Sequence, residues 1–261
     1  MNIAVCLKQV PGTTEVKIDP VKNTLIRQGI KNITNPFDTY ALEEGVRLKE
    51  RFGGRVTALS MGPPQAVEIL REAITLGADD AVLLSDVAFA GADTWATSYT
   101  LGKAVRKLNN IDLVICGRQT IDGDTGQVGP ELAEMLGVPF IAYVSKVEDI
   151  KTGLLRVQRM VEDGYETIEA HLPAVITVVK EINKPRLPSL RGQMKAKSAQ
   201  IPTWTAQDIG VEKERAGLAG SATQVVKVFF PQRTHRAEML KGEPSTQVEA
   251  LVEKLREAKL V

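Results

Sequence analysis

Short runs of β-branched and aliphatic residues recur through the first 180 positions, each followed by a stretch with helical spacing. Ile3–Leu7, Val56–Met61, Ala81–Leu84, Leu113–Cys116 and Val175–Val179 are nearly continuous in apolar character. A strand wetted on one face alternates, so such runs predict strands covered on both faces, as in a parallel sheet. Between them Ala66, Ile69, Leu70, Ala73 and Ile74 fall three and four apart. That spacing marks one face of an amphipathic helix, opened by Pro63-Pro64 and closed by Gly77. Further helices are predicted from Tyr40 to Phe52, stopped by Gly53-Gly54, and from about Asp93 to Leu108. The alternation predicts right-handed βαβ units and an α/β fold with a doubly wound, mostly parallel, Rossmann-like sheet. Ligands of such sheets lie beyond the carboxyl ends of the strands, near the topological switch point, which directs attention to the loops there.

Two regions break the rhythm. Within residues 140–172, Val157–Val161 and Tyr165–Ile168 flank Glu162-Asp163-Gly164, which predicts an antiparallel hairpin insertion feeding the strand at Val175. After Lys180, Pro185, Pro188, Pro202, Pro231 and Pro244 punctuate a stretch with little periodicity. A final helix is predicted over Ser245–Leu260, with Val248, Leu251, Val252 and Leu255 along one side and Thr246 with Glu249 as a capping box. Trp204, Val225, Val226, Phe229 and Phe230 want burial, so this tail reads as an extended arm lying on a partner. The expected division is a nucleotide-binding domain over 1–184 and a partner-facing loop and arm over 185–261.

Charge sharpens that division. The net charge of +1 gives no electrostatic case for nucleic acid or an anionic membrane. Yet residues 180–261 hold 15 Lys/Arg against 9 Asp/Glu, and Lys180, Lys184, Arg186, Arg191, Lys195 and Lys197 are opposed locally only by Glu181. On charge alone this is a solvated basic face or a binding surface. No apolar run approaches the roughly 18 residues of a membrane span. No signal peptide is expected, and Cys6 and Cys116 form neither a CxxC pair nor a metal-spaced cluster. A reducing cytoplasm is the simplest setting.

The richest chemistry lies in Cys116-Gly-Arg-Gln-Thr-Ile-Asp-Gly-Asp-Thr-Gly-Gln-Val-Gly-Pro130, between a predicted strand and a helix over Glu131–Leu136 ended by Gly137. Gly117, Gly123, Gly126 and Gly129 allow close backbone approach and positive φ. Asp124 and Thr125 can cap the helix, leaving other N–H groups for a phosphate, and Gln127 can meet a nucleotide or flavin edge. The segment is neither GxGxxG nor a P-loop, and a Gly-rich turn with an ordinary cap fits it as well. Gly91-Ala92-Asp93-Thr94 repeats the Gly/Asp-Thr pattern before another helix. Two helix N-termini on one rim can straddle a dinucleotide, or both Asp-Thr pairs merely cap. Lys8 can neutralise a phosphate and Asn35 can read an adenine or ribose, although Asn-Pro is also a plain turn signal. His171 and His235 are the only histidines and neither stands beside a Ser or Cys elbow; His171 reads as structural. With no GxSxG and no metal-spaced cluster, hydrolysis is disfavoured and redox chemistry carried by a bound cofactor fits.

These segments together resemble the electron-transfer flavoprotein β subunits over nearly the whole chain. The resemblance rests on Val5-Cys-Leu-Lys-Gln-Val-Pro11, Thr34-Asn-Pro-Phe-Asp38, Ala41-Leu-Glu-Glu-Gly-Val-Arg-Leu-Lys49, Met61-Gly-Pro-Pro64, Gly117-Arg-Gln-Thr-Ile-Asp-Gly-Asp-Thr-Gly-Gln127, the hairpin around Glu162-Asp163-Gly164, and Pro173-Ala-Val-Ile-Thr177. It implies an electron-carrying subunit paired with a larger α subunit that holds a shuttling FAD. Conventional members bind AMP in the β subunit and bifurcating ones a second FAD. The implied nucleotide contacts are Cys6, Lys8, Asn35, Met61, Gly117, Asp124, Thr125, Gly126, Gln127 and Val128. Leu187–Lys197 resembles the family's recognition loop, with Leu190 as hydrophobic anchor and Arg191, Lys195 and Lys197 as partner contacts. Gly91-Ala92-Asp93-Thr94 and Asp122-Gly123 through Gly129 resemble the bifurcating branch, which implies a β-site FAD also contacted by Ala92, Asp93, Thr94, Arg118, Asp122 and Gly123, NADH as donor, an acyl-CoA dehydrogenase-type partner and ferredoxin or flavodoxin as second acceptor. A conventional AMP-binding shuttle and a non-redox adenine-nucleotide module are the rivals.

Overall fold

The computed structural model describes residues 1–12, 17–18, 25–26, 31–226 and 237–261. Nine strands form the main sheet: β1 (Asn2–Cys6), β2 (Arg55–Met61), β3 (Asp80–Leu84), β4 (Leu113–Gly117), β5 (Phe140–Lys151), β6 (Leu154–Val161), β7 (Gly164–His171), β8 (Ala174–Val178) and β9 (Thr203–Trp204). The described helices are α1 (Pro36–Phe52), α2 (Val67–Thr75), α3 (Thr94–Leu108), α4 (Val128–Leu136), α5 (Leu190–Ser198) and α6 (Pro244–Glu257). Strand order is β7-β6-β5-β8-β4-β1-β2-β3-β9. From β5 to β9 neighbours pair in parallel, whereas β5-β6 and β6-β7 are antiparallel. The fold is therefore α/β and mostly parallel, with the hairpin insertion at one edge.

Why the strands read as continuous apolar runs is visible in β1. Ile3, Val5 and Leu7 enter one core, with Leu42 and Val46 of α1, Leu70 and Ile74 of α2, and Ala196 of α5. Ala4 and Cys6 enter the other, with Leu101 and Val105 of α3 and Leu132 of α4. Successive side chains point to opposite faces, and both faces are covered, so neither parity can be polar.

The differences from the sequence reading have local causes. α1 begins at Pro36, four residues before the predicted Tyr40, because proline is preorganised for the first helical position. α6 likewise starts at Pro244, so Thr246 sits inside the helix and no side-chain cap forms; the expected capping box is absent. In the hairpin, Val161 pairs with Gly164, leaving Glu162-Asp163 as the loop. Between Lys180 and Ser245, where no element was predicted, α5 packs on α2 and β9 extends the sheet beside β3.

Tyr143 carries φ of 58° at a bulge where Ala142 and Tyr143 oppose Thr177 of β8. This bulge lies where β5 leaves its parallel partner for the hairpin. Met1–Val225 form one compact unit and Val226–Val261 a second, which contains α6. Trp204 is half-buried beneath the Lys107 ammonium, 4.6 Å from its ring. Val225 and Val226 are exposed in the single chain, and Phe229, Phe230 and His235 lie outside the described residues. Among the described residues no helix is long and apolar enough to cross a membrane.

Candidate functional site

β1 has β2 on one side and β4 on the other, and the chain builds outward in both directions. The crevice beyond the carboxyl ends of β1 and β4 is thus the topological switch point. Cys6 and Cys116 face each other there in register, both buried and free. The hydrogen bond with Cys6 and burial hold the Cys116 thiol well above its ordinary pKa, so it remains neutral.

A small antiparallel ribbon, Gln9–Pro11 against Asn32–Thr34, returns the chain to this crevice. Asn35 then donates its backbone N–H to the Lys8 carbonyl at 2.9 Å. Its buried side chain donates to the Gln119 carbonyl at 2.9 Å and accepts the Ile121 N–H at 3.2 Å. Asn35 therefore staples the start of the Gly-rich loop, and those contacts occupy the side chain expected to read a base.

Three residues on, Asp38 turns into the protein and accepts the Lys8 N–H at 2.7 Å. Burial pushes its carboxyl up to about 7, only partly offset by the Lys8 amide, the Asn35 side chain and the Gly117 amide. Gly117 lies directly against this turn. A Cβ there would stand 2.7 Å from the Phe37 carbonyl carbon. The close approach requires glycine for space.

Residues 121–127 are exposed. Lys8 Nζ reaches both Asp122 oxygens, at 2.9 and 2.8 Å. Burial would raise the Asp122 carboxyl, but Lys8 and Thr120 outweigh it and hold the pKa below the ordinary carboxylate value. Asp124, at φ 54°, accepts from Gln119 Nε2, and Gly126 adopts φ 65°. Asp124 and Thr125 do not cap α4: the helix starts only after Gln127, and no side chain caps it. Diversion of the Asp124 carboxylate to Gln119 leaves the α4 N-terminus without that acceptor.

The second predicted segment does cap. Asp93 Oδ1 accepts the Ala96 N–H at 3.0 Å, while Oδ2 accepts the Thr223 N–H at 2.9 Å. Its own N–H donates to Ser221 Oγ at 2.9 Å. Thr94 Oγ1 lies 3.1 Å from Gln127 Oε1 and 3.0 Å from Glu131 Oε1. The N-termini of α3 and α4 are thereby hydrogen-bonded to one another, bringing both predicted segments onto one rim. Ala92 is partly buried beside them, Val128 opens α4, and Met61 ends β2.

Sequence reasoning missed the setting of Arg118. Its guanidinium stands 5.9 Å from the Phe37 ring centre and 5.5 Å from that of Tyr143, with no ion pair among the described residues. The Phe37 side lay within a quoted motif, but no local pattern announces the bulge that aims Tyr143. Glu131 was also missed; burial raises its carboxyl despite hydrogen bonds from Thr94 and Ser98. The expected partner contacts Leu190, Arg191, Lys195 and Lys197 are all exposed on α5, and Lys195 Nζ also donates to the Ala78 carbonyl at 2.9 Å. His171 closes β7 at the surface, and no metal-holding cluster occurs among the described residues.

A doubly wound sheet with a Gly-rich loop and two linked helix N-termini at its switch point defines an α/β protein of the nucleotide-binding kind. The family model described as the electron transfer flavoprotein domain matches residues 22–209. The electron transfer flavoprotein subunit beta of Thermoanaerobacterium thermosaccharolyticum is 51% identical over 98% of both chains. The caffeyl-CoA reductase-Etf complex subunit CarD of Acetobacterium woodii is 49% identical over 100% of both, and protein FixA of Azotobacter vinelandii 43% identical over 98% of this chain and 94% of its own. The chain belongs to the electron transfer flavoprotein family, on its β-subunit and FixA side. Such subunits pair with an α subunit and bind flavin or AMP.

Proposed function

We propose that the chain is the β subunit of a bifurcating electron-transfer flavoprotein, with FAD at the rim just described and a second FAD on the α subunit. Electron pairs from NADH are divided between an acyl-CoA dehydrogenase-type acceptor and ferredoxin or flavodoxin, in the cytoplasm. The observation that carries this reading is the Thr94–Gln127 contact joining two helix N-termini. The α4 end, free of side-chain caps, suits a phosphate, and the α3 end, where Asp93 takes the Ala96 N–H, sets its dipole beside it. The Acetobacterium relative's name places that protein in a reductase complex, which supports the same branch.

The residues present fit such a group. The α4 N-terminus is uncapped by side chains, the 121–127 loop is open, and Gly123 and Gly126 offer backbone without side chains. FAD bound there would supply hydride and single-electron transfer. The chain's own part is to hold it: Gly123, Asp124, Thr125, Gly126, Gln127 and Val128 from the first segment, Ala92, Asp93 and Thr94 from the second, with Lys8 and Arg118 as cations and Cys6, Asn35, Met61, Gly117 and Asp122 shaping the floor. α5 faces the dehydrogenase, and the arm beyond it lies on the α subunit.

The test is the flavin and nucleotide content of the co-expressed heterodimer after acid release and chromatography. Two FAD per heterodimer and no AMP is the expected result. One FAD with one AMP would leave a conventional shuttle, and absence of flavin would remove the redox reading.

A further inference from the structure

Residues 217–223, where the apolar pattern predicts no element, wrap the turn that opens α3. Gly217, at φ 53°, lies so close to the Ala88 and Ala90 carbonyls that a Cβ would overlap both. The Leu218 N–H donates to the Ala90 carbonyl at 3.0 Å, which fixes the start of the wrap. Ser221 Oγ donates to the Gly217 carbonyl at 2.7 Å and accepts the Asp93 N–H at 2.9 Å. Thr223 then gives two donors to Asp93 Oδ2, its N–H at 2.9 Å and its hydroxyl at 3.1 Å.

A helix cap needs one carboxylate oxygen, and Asp93 Oδ1 fills that need through the Ala96 N–H. Left bare, the second oxygen would be an anion beside the proposed phosphate position, where like charges repel. Two donors from Thr223 draw its charge into hydrogen bonds and fix the side-chain rotamer. Asp93 in turn sets its neighbour Thr94, whose hydroxyl lies 3.1 Å from Gln127 Oε1 and 3.0 Å from Glu131 Oε1. A continuous run of bonded neighbours thus passes from Ser221 and Thr223 through Asp93 and Thr94 to the entrance of α4.

We infer that Ser221 and Thr223 are positioning residues of the β-site nucleotide rim, acting through Asp93 on the α3 N-terminus. The inference rests on the β-site reading above and deepens it, since it names what holds one wall of that site in place. Neither residue need touch the ligand. Their hydroxyls keep Asp93 oriented before the ligand arrives, so less freedom is lost in ordering the wall on binding. The signal was not local in sequence, because the two residues stand 128 and 130 positions from Asp93.

The experiment titrates FAD into the co-expressed heterodimer after dialysis has removed its rim ligand. Uptake is read by quenching of flavin fluorescence, and thermal unfolding of each variant is followed in parallel. Thr223→Val and Ser221→Ala should each raise the dissociation constant about tenfold, while Thr223→Ser, which keeps the hydroxyl, stays within about twofold of wild type. In an Asp93→Ala background, adding Thr223→Val should alter affinity by less than about twofold, because its target is gone. Affinities of Thr223→Val and Ser221→Ala within about twofold of wild type overturn the inference, even where unfolding temperatures fall, since the bonds would then only fasten residues 217–223. A Thr223→Val effect undiminished in the Asp93→Ala background overturns the route through Asp93. Wild type that takes up no FAD beyond the one on the α subunit removes the β-site reading and this inference together.

Discussion

Gly117→Ala is expected to cost the folded chain about 3 kcal/mol and to deprive the heterodimer of its β-site nucleotide. The added carbon would stand 2.7 Å from the Phe37 carbonyl carbon and 2.9 Å from the Asp38 amide nitrogen. Both are backbone atoms at the start of α1 and cannot rotate away. Relief requires α1 to separate from β4, which moves Asp38 and Asn35, and with Asn35 the stapled loop at 119–121. For a chain of this size that cost lowers the midpoint of thermal unfolding by roughly 6–12 °C. Gly123→Ala is the control: its nearest neighbour is Thr120 Oγ1 at 3.6 Å, so no comparable loss is expected. Equal melting temperatures for the Gly117 variant and wild type would refute the account.

The second large effect is a dependence on pH carried by Asp38. Burial raises its carboxyl from 3.8 to about 7 in the folded protein. Between those values the native state holds a proton that the unfolded chain has released. Stability from this group is therefore complete below about pH 4 and is lost as pH rises through 7, by up to about 4 kcal/mol. Asp38→Asn removes the titration. Urea unfolding at pH 5 and pH 8 should show wild type losing ground to the variant at the higher pH. A difference between the two proteins that stays constant across that range would place the titration elsewhere.

The fold was legible because its dominant signal is compositional. Buried parallel strands announce themselves as apolar runs, and both bounds of each of the five predicted runs moved by at most one residue. The two Gly/Asp-Thr segments were legible as helix entries, though their spacing left open whether they only cap. What stayed hidden depends mostly on contacts remote in sequence; the exception is Asp124, diverted by a residue only five positions away. The Asp124 carboxylate looked like a helix cap and went to Gln119 instead. α5 carries too few apolar residues to show a period and is fixed by Arg71 and Lys195, whose acceptors lie on another element or on a distant turn. β9 exists only because β3 offers an edge. Asn35 could be singled out from its motif, but its service to the loop could not.

The paired thiols beneath the rim have a practical use. Cys6 and Cys116 sit on adjacent strands under the switch point, and Cys116 stays protonated in the native state. An alkylating reagent needs the thiolate and a path to it, so modification must await an opening of the sheet itself. The rate at which the two sulfurs label is then a clock for breathing of the sheet, readable by mass spectrometry without any engineered probe. Ligands that settle on the rim should slow it in proportion to how tightly they hold the strands together.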